Sequence, residues 1–144
     1  MKLVYVAGPY RAPTVWGVEK NVQAAQHAAA HVLTVPGLYP VVPHLNTRHM
    51  DGHAPDEVFL AGTMEMLRRC DAVLVLGTWT DSAGAKAEVE EAVRLGLPVL
   101  YAWGDESWSA GWLADLAKMP AGYRVGDDVQ DPLAGVFWPG LRQG

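Results

Sequence analysis

The sequence predicts an α/β fold, a three-layer Rossmann- or flavodoxin-like sandwich on a mostly parallel sheet of about five strands. Three observations predict it. Short apolar runs alternate with longer stretches of helical periodicity along the chain. The runs at residues 3–7 and 72–76 are apolar without alternation, the pattern of strands covered on both faces. Glycine and proline punctuate the elements, at Gly8 and Pro9, Pro36 and Gly37, and Gly96. With 144 residues, half of them hydrophobic, the chain has material for one sizeable core, so residues 1–144 read as a single domain.

Residues 3–7 form the first strand, ended by Gly8 and Pro9, and residues 10–17 a loop. Residues 18–33 are alanine-rich with apolar positions at helical spacing, a first helix stopped by Pro36 and Gly37. Residues 38–42 make a short second strand, followed by a long polar loop at 43–55. A second helix spans 56–69, with Phe59, Leu60, Met64 and Leu67 as its buried face. Residues 72–76 are the best central strand. A third helix runs from 82 to 95, with Gly96 as its stop, and 97–101 is the fourth strand. A fourth helix at 107–118, a short edge strand at 123–125 and an apolar piece at 136–138 complete the chain. Some of the late tryptophans (Trp103, Trp108, Trp112, Trp138) suit the core and others a subunit interface.

Composition narrows the function. The net charge of -5 and the lack of a Lys/Arg cluster disfavour a nucleic-acid polymer, while a single nucleotide remains compatible. The lone cysteine, Cys70, has no partner for a disulfide, which points to a reducing compartment. The apolar start is too short for a membrane span and no cleavage pattern follows it, so a cytoplasmic protein without membrane contact is expected. No G-x-G-x-x-G follows the first strand, and no cofactor is expected. His44, His49 and His53 share one loop, but their spacing fits no H-E-x-x-H arrangement, and no metal is assigned.

Right-handed crossovers bring the loops after the first three strands to one edge of the sheet, where such folds bind ligands. In the first loop Arg11 offers a fork of donors for a carboxylate or phosphate, beside Gly8. Tyr5, near the strand end, is either a core aromatic or a hydroxyl presented to the site. In the second loop His44 and Asn46 lie closest to the strand and are the better ligand candidates. In the third, Ser82 caps a helix start whose amides can seat an anion, and Gly84 leaves space for close approach. Glu88 shares a stripe with Gly84 and Ala92, while Glu90 and Glu91 read as a solvated face.

Four pieces together resemble the nucleoside 2-deoxyribosyltransferase-like superfamily, which includes deoxynucleoside 5'-monophosphate N-glycosidases. They are VYVAGPYR at residues 4–11, the helix carrying Asn21, PVVPHLN at 40–46, and CDAVLVLGTWTDSAGAKAEVEEAVRLGLPV at 70–99. The last is the most specific. The resemblance covers roughly the first hundred residues. It implies that Glu88 is the nucleophile attacking the anomeric carbon, that the Tyr5 hydroxyl lies beside it, and that Ser82 and Arg11 hold a 5'-phosphate. It also implies a homodimer or higher homo-oligomer with active sites near the subunit contact.

One position departs from the family pattern. The aspartate expected eight residues before Asp71, thought to protonate or orient the leaving base, is Thr63 here. Asp56, Glu57 or a loop histidine would have to help instead, or the reaction differs. The expected function is hydrolysis of the N-glycosidic bond of a nucleoside or deoxynucleoside 5'-monophosphate through a glutamyl glycosyl-enzyme. Base exchange between nucleosides is one alternative, and a nucleotide-binding or sensing module without turnover is the other.

Overall fold

The strands form because β-branched and aliphatic runs bury both faces, and each is followed by a helix that covers one of them. The computed structural model describes residues 1–77, 79–102 and 109–125. In order these are β1 (Lys2–Ala7), α1 (Val15–Leu33), β2 (Leu38–Val41), α2 (Pro43–Asn46), α3 (Asp56–Arg68), β3 (Ala72–Leu76), a 3₁₀ turn (Trp79–Asp81), α4 (Ala83–Arg94), β4 (Val99–Ala102) and α5 (Ser109–Lys118). The strands pair in parallel in the order β2-β1-β3-β4. The α/β three-layer sandwich expected from the sequence is the observed architecture.

Strand alternation splits the core in two. Val4 and Val6 of β1, with Ala72, Leu74 and Leu100, pack against Ala25, Ala29 and Val32 of α1 and Leu113 and Leu116 of α5. Tyr5 and Ala7, with Val73, Val75 and Val99, pack against Leu67 of α3 and Val89 and Ala92 of α4.

The structure corrects several expected boundaries. The sheet has four strands among the described residues, not about five. Residues 123–125 add no strand: Gly122 turns the chain at φ +75°, and Val125 donates its amide to the Gly96 carbonyl (2.8 Å) in the α4–β4 turn. The piece at 136–138, and Trp103, Trp108 and Trp138, lie outside the described residues, whereas Trp112 is buried in the core. α1 starts earlier than expected because the Thr14 hydroxyl accepts from the Gly17 amide (2.9 Å), and this cap outweighs the glycine. The 43–55 loop opens with the single turn α2, where Pro43 supplies a preset φ at the helix start. α3 lies at the margin of the core. Leu67 is buried and Phe59 and Met64 partly so, but Leu60 is 55% exposed.

Candidate functional site

The strand order reverses between β1 and β3: β1 leads outward to β2, and β3 leads the other way to β4. The carboxyl ends of these two strands therefore flank the crevice where α/β sheets hold ligands. Tyr5 of β1 reaches this region from the α3–α4 side of the sheet and is fully buried. Across from it stands α4. Ser82 is its N-cap, with the hydroxyl accepting from the Ala85 amide (3.2 Å) and the carbonyl accepting from Lys86 (2.9 Å). The remaining first-turn amides point out of the helix end, a preformed seat for negative charge.

Glu88 is the unusual member of the helix. Its neighbour Glu90 is exposed, and Glu91 is taken up by Arg68 (3.1 Å) and Arg94 (2.6 Å). The Glu88 Oε2 atom and the Tyr5 hydroxyl are both buried, and neither has a partner at hydrogen-bond geometry. They nevertheless feel each other. Burial pushes the Glu88 carboxyl from 4.5 up to about 7, with the Tyr5 hydroxyl pulling the other way. Burial also raises the Tyr5 phenol, the Glu88 charge adds to that rise, and the Thr63 hydroxyl opposes it. Tyr5, Glu88 and Thr63 are thus one cluster. The sequence left Tyr5 open between core aromatic and site hydroxyl; its ring is in the core, and its buried hydroxyl lies beside the Glu88 carboxylate. Thr63 donates its own hydroxyl back to the Leu60 carbonyl (3.1 Å).

The two glycines differ. A Cβ on Gly8 would meet the Leu76 side chain at 2.8 Å, so this glycine lets the end of β1 pack against β3. A Cβ on Gly84 would lie 3.8 Å from Leu60 Cδ2 and 3.9 Å from Ser82 Oγ, ordinary contacts, so the fold itself does not demand a glycine there.

The first loop is pinned from below. Asn21 of α1 donates its side-chain amide to the carbonyls of Tyr10 (3.0 Å) and Arg11 (3.4 Å). The Arg11 side chain projects outward and pairs with Asp56 at the start of α3 (2.7 Å). His44 is 5% exposed and bonds the Pro9 carbonyl through Nε2 (3.0 Å). Burial pushes the imidazole below its ordinary value, favouring the neutral ring, so the Nε2–H donates and Nδ1 is a buried acceptor with no hydrogen-bond partner. Asn46 is exposed, with one long contact to Met66 Sδ (3.9 Å). The structure therefore brings Tyr5 beside Glu88 in the middle of α4, the helix that Ser82 and Gly84 open, while His44 supports the first loop. His49 and His53 are exposed, and no group of three or more His, Cys, Asp or Glu able to hold a metal occurs among the described residues. The Arg11–Asp56 pair and the Asn21 brace were not assigned from sequence. The acidic residue opening α3 was the available signal for the first.

Residues 2–102 match a family model described as a domain of unknown function, DUF7768. The chain belongs to this family. The DUF7768 region runs from β1 through β4 and contains every residue of the cluster. Among solved structures, the chain is similar to a conserved protein from Enterococcus faecalis V583, at 24% identity and a TM-score of 0.52. That match covers 74% of this chain and 65% of the other, and it shows a shared fold. No curated protein matches this sequence.

Proposed function

We propose that this DUF7768 protein hydrolyses the N-glycosidic bond of a nucleoside or deoxynucleoside 5'-monophosphate. The observation carrying this reading is the Glu88 carboxylate, buried without a hydrogen-bond partner at Oε2 beside the Tyr5 hydroxyl, two turns below a serine-capped helix start. A desolvated carboxylate is poised to attack an electron-poor carbon, and the helix start above it suits a phosphate. The residues that resemble the deoxyribosyltransferase-like proteins supply the rest of the reading.

In the first step a Glu88 oxygen forms an ester to the anomeric carbon as the bond to the base nitrogen breaks. The base leaves with that electron pair and takes a proton from solvent, since Thr63 has no acidic proton to give. In the second step water adds its oxygen to the anomeric carbon, the ester C–O bond breaks with its electron pair returning to the Glu88 carboxylate, the water's proton passes to solvent, and the configuration is retained. Tyr5 orients the carboxylate, and Ser82 and Arg11 hold the phosphate. Gly84 leaves room for close approach of the ligand, and His44 and Asn46 are the candidates to bond a base or sugar. Interception of the ester by a second base would give transfer. Thr63 favours a second reading, a nucleotide-binding module without turnover.

No helix among the described residues is long and apolar enough to cross a membrane. The buried free thiol of Cys70 supports a reducing, cytoplasmic setting. Val58 and Leu60, exposed on α3, support a homodimer or larger homo-oligomer. The test is incubation with a panel of nucleosides and their 5'-monophosphates, with chromatography for free base. Base is expected from monophosphates, and Glu88→Ala should lower its release by about three orders of magnitude or more. Full activity in that variant rules out the glycosyl-enzyme. Nucleotide binding without any free base favours the second reading.

A further inference from the structure

Thr63 has no acid to give, yet it stands where a side chain can act on Glu88. Helices α3 and α4 run side by side in the same direction. Near their starts, Leu60 Cδ2 comes within 3.8 Å of the point where a Cβ on Gly84 would lie. Further along, Arg68 reaches Glu91 at 3.1 Å. Positions 63 and 88 fall between those two contacts, one turn past Leu60 and one turn past Gly84. The register therefore brings Thr63 and Glu88 to the same level along the two helices. The Tyr5 hydroxyl lies close to both side chains and completes a hydrogen bond to neither.

The three groups have one proton to share. The Thr63 hydroxyl donates to the Leu60 carbonyl (3.1 Å), so its proton is committed within α3 and its oxygen keeps lone pairs to offer. An ionised Glu88 is an acceptor only. Burial and the Glu88 charge raise the Tyr5 phenol, so it keeps its proton. That proton has two acceptors within reach, and a donor divided between two gives neither a full bond. The charges around the group do not settle the choice. Cys70, the other titratable neighbour of Tyr5, donates its thiol to the Met66 carbonyl (3.3 Å), and burial pushes it up to about 12. On α4 itself Lys86 and Glu90 are exposed, and Glu91 is neutralised by Arg68 and Arg94.

We infer that Thr63 is a positioning residue for the nucleophile: its oxygen competes with the Glu88 carboxylate for the Tyr5 hydroxyl and so keeps Glu88 free to attack. This rests on the glycosyl-enzyme reading given under Proposed function. As a Glu88 oxygen bonds the anomeric carbon, the carboxylate loses charge and its hold on the Tyr5 proton weakens. Thr63 then accepts that hydroxyl, which would otherwise be left buried and unpaired at a cost in free energy. Without an oxygen at position 63, Tyr5 has one acceptor and holds Glu88 in its resting state.

The test is Thr63→Val, which keeps the branched shape and removes the oxygen, with Thr63→Ser to restore it. The Glu88 carboxyl is titrated by carbon-13 NMR in the intact chain without ligand, its signal assigned with Glu88→Gln. Base release from the four 2'-deoxynucleoside 5'-monophosphates is then followed against pH. In Thr63→Val the Glu88 midpoint should fall by about one unit from about 7, because Tyr5 gives its whole bond to the charged form. At pH 8 and above, kcat should fall about three- to tenfold with KM unchanged, and Thr63→Ser should restore both midpoint and kcat. In a Tyr5→Phe background Thr63→Val should move neither, since no shared proton remains to redirect. A midpoint that stays or rises in Thr63→Val overturns the inference. So does a fall that persists without Tyr5, which would be a packing effect, or a fall with kcat unchanged. If the wild type releases no base, the glycosyl-enzyme reading falls, and the ligand-free midpoint decides separately whether Thr63 competes for the Tyr5 hydroxyl.

Discussion

The two faces of the sheet are built from the same strands and serve different ends. Toward α1 and α5 the strands present Val4, Val6, Ala72, Leu74 and Leu100, all aliphatic. Toward α3 and α4 they present Tyr5 and Tyr101 among smaller residues, and α4 adds Glu88 beside the Tyr5 hydroxyl. Removing a carboxylate and a hydroxyl from water without forming their hydrogen bonds costs stability. The first face answers only to packing. The second gives up stability at one point, and such a point is where chemistry is expected.

The sharpest way to break the contrast is to injure the aliphatic face. Leu113, 1% exposed on α5, packs there. Leu113→Ala should cost about 3 kcal/mol in urea unfolding at every pH and leave base release per folded molecule unchanged. A loss of catalysis in the folded variant would mean that the two faces are not separate in function.

The next effect has the opposite sign and depends on pH. The Glu88 carboxyl is raised from 4.5 to about 7 in the folded chain, chiefly by burial. The folded state therefore binds this proton more tightly than the unfolded state. Stability is full below 4.5, falls as pH rises toward about 7, and stays reduced above that. Glu88→Gln should match the wild type at pH 4 and exceed it by about 2–3 kcal/mol at pH 9. Base release by the wild type should rise with pH through about 7, as the nucleophile ionises. A variant no more stable at pH 9 than the wild type would show that ionised Glu88 has a partner.

The smallest effect concerns Tyr5. Its hydroxyl is buried without a partner at hydrogen-bond geometry. Tyr5→Phe should therefore raise stability by about 1 kcal/mol while slowing base release. A loss of 1 kcal/mol or more would reveal a formed bond to Glu88 or Thr63 and narrow the difference between the faces.

Much of the site's layout was legible in the chain. The stripe of Gly84, Glu88 and Ala92 set Glu88 apart from Glu90 and Glu91; Glu90 is exposed as expected and Glu88 has a buried, unpartnered oxygen, whereas Glu91, expected on the solvated face, is 13% exposed and held by Arg68 and Arg94. Ser82 was readable as a cap because its geometry is local. The direction of Tyr5 was not readable, since an apolar run carries no phase to say which side of the sheet a residue faces. Leu60 misled for a related reason. Its helical spacing fits a buried face, but α3 covers only the margin of the sheet, and spacing cannot report how much of a face has a neighbour.

By itself the sequence determined the alternation of the four strands with helices α1, α3, α4 and α5, the stops at Gly37 and Gly96, and the parallel sheet that brings three loops to one edge. Those follow from hydrophobic period and backbone preference, which act over a few residues. Only the tertiary structure decided that the described strands are four, that Arg11 is held by Asp56 across 45 positions of chain, and that Glu88 and Thr63 both come near the Tyr5 hydroxyl. These are contacts between distant segments, and they exist only once packing has fixed which faces meet.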